Sequence, residues 1–163
     1  MVYVFLAEGF EEVEALTVID VLRRAGVVTY SVKAASQEST ADSALLVTGA
    51  HGITVLADRS FDSIDSDACR MIVLPGGMPG TLHLKEHAGL VRLIRKFAET
   101  EGKYIAAICA APMVLGELGI LEGRRATIYP GMEDSLKGAF AMKNRVVVDD
   151  QVITSKGPGT AME

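Results

Sequence analysis

Short, continuously apolar segments that alternate with stretches of helical periodicity predict an α/β fold, a mostly parallel sheet with helices on both faces. Three observations carry this expectation. Val2 to Ala7, Met71 to Leu74 and Tyr104 to Ile108 are apolar runs of strand length, as strands covered on both sides require. Between them, Glu11 to Ala25 and Ala88 to Glu101 repeat apolar residues at helical spacing. The runs at Leu74 and Ile108 give way at once to small residues, and in such sheets ligands sit in the crevice at the carboxyl ends of the strands.

Taken in order, the first strand is followed by the loop Glu8-Gly9-Phe10 and a helix whose apolar face reads Val13, Leu16, Ile19 and Leu22. Acidic Glu11, Glu12 and Glu14 stand in its first turn, and Gly26 closes it. Val28, Tyr30 and Val32 alternate with polar residues and predict a second strand, completing a right-handed β-α-β crossover. Gln37 to Ser43 reads as a polar loop. Leu45 to Thr48 and Ile53 to Ala57 flank Gly49-Ala50-His51-Gly52 and predict a hairpin.

An acidic stretch, Asp62 to Asp67, leads to the Met71 strand and the loop Pro75-Gly76-Gly77-Met78-Pro79-Gly80. In the following helix, Leu90, Leu93, Ile94 and Phe97 form the apolar face, and Gly102 ends it before the Tyr104 strand. After Cys109 a helix runs through Met113, Val114 and Leu118. Leu121-Glu122-Gly123 is a turn, Ala126 to Tyr129 a strand and Met132 to Lys137 a short helix. Val146 to Val148 and Val152 to Thr154 predict two strands around Asp149-Asp150, and Gly157 to Glu163 reads as a loop opening a further helix.

A chain of 163 residues suits one domain, and 49% hydrophobic with 23% charged residues suits a folded one. A net charge of −5 gives no electrostatic reason to expect nucleic acid or an anionic membrane as a partner, since either needs a clustered basic surface and Arg23-Arg24 and Arg124-Arg125 are too small for one. Met1 to Ala7 is too short, and lacks the basic flank, for an export signal or a membrane span. Cys69 and Cys109 are the two cysteines, which suits the reducing cytoplasm better than a disulfide framework.

The chemistry centres on Cys109, where a strand gives way to small residues, Pro112 and a helix. A helix N-terminus favours negative charge, and the thiolate is the reactive form of cysteine. The Ala110 N–H at this elbow, with Gly76 and Gly77 in the neighbouring loop, offers amides for a developing oxyanion. Glu14 faces the same edge. A carboxylate beside a thiolate is repulsive, so we expect a buried, protonated Glu14 that donates to the sulfur, lowers the cysteine pKa and has its own raised. Taken alone, Glu14 reads as a favourable charge in a first helical turn and Gly76-Gly77 as an ordinary turn.

Four segments occur together in order: Glu8-Gly9-Phe10-Glu11-Glu12-Val13-Glu14, Leu74-Pro75-Gly76-Gly77, Ala106-Ala107-Ile108-Cys109-Ala110-Ala111-Pro112 and Thr154-Ser155-Lys156-Gly157-Pro158-Gly159-Thr160. Over essentially the whole chain the sequence resembles the ThiJ/PfpI family, in particular its parkinsonism-associated deglycase branch and bacterial relatives. The resemblance implies a flavodoxin-like three-layer sandwich, similar to class I glutamine amidotransferases, and a homodimer. It implies a nucleophilic, oxidation-sensitive Cys109, a protonated Glu14, and oxyanion amides at Gly76, Gly77 and Ala110. The activities it implies are glutathione-independent glyoxalase, repair of methylglyoxal-glycated proteins, redox sensing and chaperone action. An older family label refers to thiazole monophosphate biosynthesis.

Two positions depart from the family. Ala110 stands where protease-like members carry histidine, and Tyr129-Pro130 where the deglycase branch often has histidine-proline. The family's last helix is also missing after Glu163, which would leave an apolar sheet face for a partner to cover. Tyr129 reads equally as a packed aromatic or a site contact. His51 reads as a turn residue, although the matching family region lies at the dimer interface, within reach of a partner's site. His83 and His87 read as surface residues, Cys69 as structural, and Met78 and Met113 as packing residues. No histidine stands at a diagnostic ligand spacing, so neither a structural zinc nor a cofactor is expected. The expected function is a Cys109-dependent enzyme acting on a small aldehyde such as methylglyoxal, or on its adducts. The alternative is an oxidation-sensing, chaperone-like protein.

Overall fold

The computed structural model describes residues 1–34 and 45–163; the loop read from Gln37 to Ser43 lies outside them. β1 (Val2–Leu6) is buried throughout because its alternating side chains enter two different cores. Tyr3 and Phe5 join the larger core, and Val2, Val4 and Leu6 the smaller one on the opposite sheet face. α1 (Glu12–Arg24) returns the chain to β2 (Thr29–Lys33), which pairs in parallel with β1. A separate antiparallel hairpin follows, β3 (Leu46–Thr48) and β4 (Thr54–Leu56), then a two-residue strand, β5 (Arg59–Ser60).

β6 (Met71–Leu74) leads to two helices, α2 (Gly80–Glu86) and α3 (Ala88–Glu99), and β7 (Tyr104–Ile108) to α4 (Pro112–Glu117). The chain continues through β8 (Arg125–Ala126) and β9 (Phe140–Ala141) to β10 (Val146–Asp149) and β11 (Val152–Ser155). The main sheet has the order β10-β11-β7-β6-β1-β2-β5, and β10 is its one antiparallel member. This is the expected flavodoxin-like α/β architecture. Since β1, β6, β7 and β11 are adjacent and parallel, the loops leaving their carboxyl ends open onto one crevice.

Leu90, Leu93, Ile94 and Phe97 of α3 are buried as their spacing requires. α1 differs from its expected face. Val13 and Leu16 are exposed, while Glu12, Glu14, Ala15 and Ile19 point inward. The inward carboxyls are held by hydrogen bonds that a hydrophobicity pattern cannot register.

Smaller differences concern short elements. The strand expected at Ala126 to Tyr129 is Arg125–Ala126, and the helix expected over Met132 to Lys137 is one 3₁₀ turn at Glu133–Ser135. α2 and β5 had no expectation, being short and weakly patterned. The segment after Gly157 forms a 3₁₀ turn at Pro158–Thr160. His87 is more than a surface residue: its Nδ1 accepts the Leu90 N–H at the start of α3, and its ring packs on Phe61 with centroids 4.4 Å apart.

On the α1 face, a hollow of about 270 Å³ is lined by Val18, Leu22, Met71, Val73, Ile153 and Met162. It is apolar and distinct from the crevice described below. Among the described residues, no helix is long and apolar enough to cross a membrane.

Candidate active site

Cys109 follows the last residue of β7 and is the first to leave the strand direction. Its φ of 62° is left-handed, a conformation that costs a non-glycine residue on the order of 1–3 kcal/mol unless neighbours hold it. They hold it on both sides: the Cys109 N–H donates to the Ser155 carbonyl at 2.9 Å, and its carbonyl accepts the Tyr129 N–H at 2.9 Å. The thiol is thereby turned out of the sheet and stays half-buried.

Glu14, on the first turn of α1, is fully buried. Its Oε2 accepts the Gly76 N–H at 2.7 Å, so that amide supports the carboxyl. The N–H groups facing the Cys109 sulfur are those of Ala110 and Gly77. Gly76 must be glycine on steric grounds, because a Cβ there would lie 2.6 Å from Cys109 Cβ and 2.7 Å from Glu14 Oε2. Gly77 combines a φ of 90° with close approach of the Glu11 N and Gly9 carbonyl, so neither backbone nor space admits a side chain.

Burial raises the Glu14 carboxyl from its ordinary 4.5 to about 7, opposed by its contacts with Cys109 and the Gly76 amide. Burial also pushes the Cys109 thiol up to about 12, and the Glu14 charge adds to the rise, against the pull of the Ala110 and Gly77 amides. This corrects the expectation that Glu14 simply lowers the cysteine pKa: an ionised Glu14 raises it. The two groups form one titrating unit that holds a single negative charge above about pH 7. In that range the charge rests chiefly on Glu14 and the thiol keeps its proton.

The remaining candidates divide. Tyr129 is tied to the elbow through its N–H, and its ring lies beside Gly157, which the Glu14 carboxyl also approaches. His51 is held elsewhere: its backbone N–H donates to Glu12 Oε1 at 2.8 Å and its Nδ1 lies 2.9 Å from Glu12 Oε2. Glu12 and Glu11 accordingly hold the imidazole above its ordinary pKa. Burial works against a charged Glu12, but hydrogen bonds from His51 and Ile53 outweigh it and lower that carboxyl.

This Glu12 latch, which fixes the hairpin tip onto α1, links residues 39 apart in sequence and left no local signal. Among the described residues, Glu11, Glu12 and His51 are the group whose ligand atoms lie within 4.8 Å of one another, the separation a cation would need. Glu12 already uses both oxygens within the latch. Cys69 is fully buried, donates to the Met71 carbonyl and takes no part in the site. Met113 packs on the larger core and Met78 is exposed.

The profile of the DJ-1/PfpI family matches residues 1–163. DJ-1 homolog B of Arabidopsis thaliana is 41% identical over 160 residues, which is 97% of this chain and 35% of that protein. The chain thus spans about a third of the length of that plant relative. A deglycase of Pyrococcus furiosus, PfpI, is 37% identical over 156 residues, 94% of this chain and 87% of its own. Among solved structures, oxidized Toxoplasma gondii DJ-1 superposes with a TM-score of 0.88 at 34% identity, covering 99% of this chain and 84% of that one.

A carboxyl whose folded pKa is raised makes the folded state bind the extra proton, so stability falls as pH rises from about 4.5 to about 7. Glu14→Gln removes that loss. Between about pH 4 and about pH 8 its stability advantage over the parent chain should grow by on the order of 3 kcal/mol in denaturant titrations. In the parent chain Cys109 alkylation by iodoacetamide should rise up to about pH 7 and flatten above it, whereas in Glu14→Gln it should keep rising through that range. A pH-independent difference between the two chains would contradict the buried carboxyl's assigned ionisation.

Proposed function

The chain belongs to the DJ-1/PfpI family, and from that premise we propose a Cys109-dependent protective enzyme that converts reactive 2-oxoaldehydes, methylglyoxal or its adducts, to hydroxy acids such as lactate. The observation that best supports this reading is a carboxyl titrating near 7 beside a half-buried thiol. A group poised at working pH can take and return a proton within one turnover. Several relatives bear the name deglycase, that of Pyrococcus furiosus among them.

In the proposed sequence, Glu14 takes the thiol proton as the sulfur attacks the aldehyde carbon. The C–S bond forms, and the carbonyl oxygen carries the developing charge toward the Gly77 and Ala110 amides. Glu14 returns its proton to that oxygen, giving a hemithioacetal. As carboxylate again, Glu14 removes the hydrogen from the carbon bonded to sulfur and delivers a proton to the adjacent carbon, while the hydroxyl proton of the first carbon passes to the oxygen of the second. The first carbon is oxidised and the second reduced, leaving a 2-hydroxy thioester. Water adds, the C–S bond breaks, and lactate leaves with the thiol restored. One water is consumed and no external oxidant is required.

Incubation with methylglyoxal should yield lactate from the parent chain, none from Cys109→Ala, and at least about a hundredfold less from Glu14→Gln. Lactate at equal rates from all three chains rejects the reaction.

Oxidation sensing is the second reading. It is favoured by the oxidised state in which the Toxoplasma gondii relative was solved, and a protonated Glu14 would donate to a Cys109 sulfinate. Intact mass after mild peroxide should then show two oxygens added at Cys109 and fewer in Glu14→Gln; oxidation without selectivity for Cys109 argues against it. Chaperone action and a cytoplasmic setting belong to the same reading.

A homodimer completes the proposal. Val13 and Leu16 are 50% and 37% exposed on α1, beside a latched hairpin with Ile53 and Leu56 at 54% and 70%. Adjacent apolar exposure of this kind suits a protein interface. The double variant Val13→Glu, Leu16→Glu should halve the mass measured by light scattering; an unchanged mass places the contact elsewhere.

A further inference from the structure

The glycines around Cys109 are not equivalent. Gly76 leaves no room for a side chain, whereas Gly157, though buried, has extended backbone at φ 161° that any residue adopts. A methyl group built on Gly157 would meet Tyr129 Cδ2 at 3.5 Å, Tyr129 Cε2 at 3.8 Å and Glu14 Oε1 at 4.0 Å. Those are ordinary van der Waals separations. A carbon-sized space therefore lies between the tyrosine ring, the glycine and the carboxyl.

Glu14 Oε1, at the edge of this space, is buried and has no hydrogen-bond partner among the described residues. An unpaired buried oxygen is costly, and a ligand hydroxyl would satisfy it. The ring is half exposed, its main chain is tied to the elbow through the Tyr129 N–H bond to the Cys109 carbonyl, and its edge lies beside Gly157. The nearby Lys156 ammonium is drawn away to the Lys143 carbonyl, and the Glu14–Cys109 unit repels anions.

We propose that the space bounded by Tyr129, Gly157 and Glu14 Oε1 is a specificity subsite for neutral 2-oxoaldehydes, taking their carbon substituent against the Tyr129 ring while a hydroxyl of the hydrated aldehyde donates to Oε1. The assignment rests on the proposed function for its substrate class. Its geometry can be tested without turnover.

Hydroxyacetone carries the methyl substituent, a carbonyl and a hydroxyl but no aldehyde. It should protect Cys109 of the parent chain from iodoacetamide, and Gly157→Ala should weaken that protection roughly 10- to 100-fold, the scale set by one methyl group in a pocket. No protection of the parent chain, or equal protection of both chains, overturns the subsite. In turnover, the ratio of kcat/KM for methylglyoxal to that for glyoxal, which lacks the substituent, should fall by a similar factor in Gly157→Ala. It should also fall in Tyr129→Ala and recover in Tyr129→Phe, which keeps the ring; ratios unmoved by all three substitutions overturn the subsite. Protection in the parent chain without any turnover would reject the reaction and leave the subsite standing.

Discussion

Two acidic groups that oppose one another's ionisation meet at the carboxyl edge of the sheet, Cys109 just after β7 and Glu14 on the first turn of α1, and the site is built around that opposition. Glu14 is buried, which raises its pKa to about 7, and Cys109 is half-buried beside it. Each charge opposes the other, so one proton remains with the pair above about pH 7. Keeping the two groups this close requires a backbone loop without side chains, which Gly76 and Gly77 supply. It also requires a strained cysteine whose N–H and carbonyl are both held by neighbouring segments. Sheet order, elbow and glycine loop all serve the placement of a single proton.

The same constraint reshapes α1. A helix that turns Glu12 and Glu14 inward cannot also turn Val13 inward, since adjacent residues lie about 100° apart around the axis. Glu14 meets Gly76 and Cys109, and Glu12 meets the hairpin tip at His51 and Ile53. Val13 and Leu16 are left facing outward. One helix thus connects the Glu14–Cys109 pair to an exposed apolar surface. Glu11 stands between the two networks, approaching His51 and adding its charge to the rise at Glu14.

Much of this was legible from sequence, for reasons particular to each element. α3 could be read residue by residue because its four buried side chains need only apolar contacts at helical spacing. β1, β6 and β7 were legible as apolar runs, and the Cys109 elbow as an abrupt change from such a run to small residues. The inward face of α1 was not, because it is set by hydrogen bonds to residues 39 and 62 positions away. Nor was the division of labour in the glycine loop. Gly76 and Gly77 are chemically identical neighbours, yet one amide serves Glu14 and the other faces the sulfur. Gly157 stood within a recognised segment without an assigned role, since the room beside a glycine is visible only once its surroundings are folded.

In the proposed reaction, the residues at positions 110 and 129 leave proton transfer to the carboxyl. Ala110 offers an amide but no side-chain base, and Tyr129 brings a ring, so neither supplies an imidazole to the elbow. A carboxyl at its ordinary 4.5 would be ionised throughout and slow to return a proton, while one raised far above neutrality would seldom accept one. Burial that brings Glu14 to about 7 would let the same group do both in turn in the proposed reaction. The stability lost by burying it is the counterpart of that capacity, because the desolvation that opposes its charge in the folded state is also what sets its affinity for the proton.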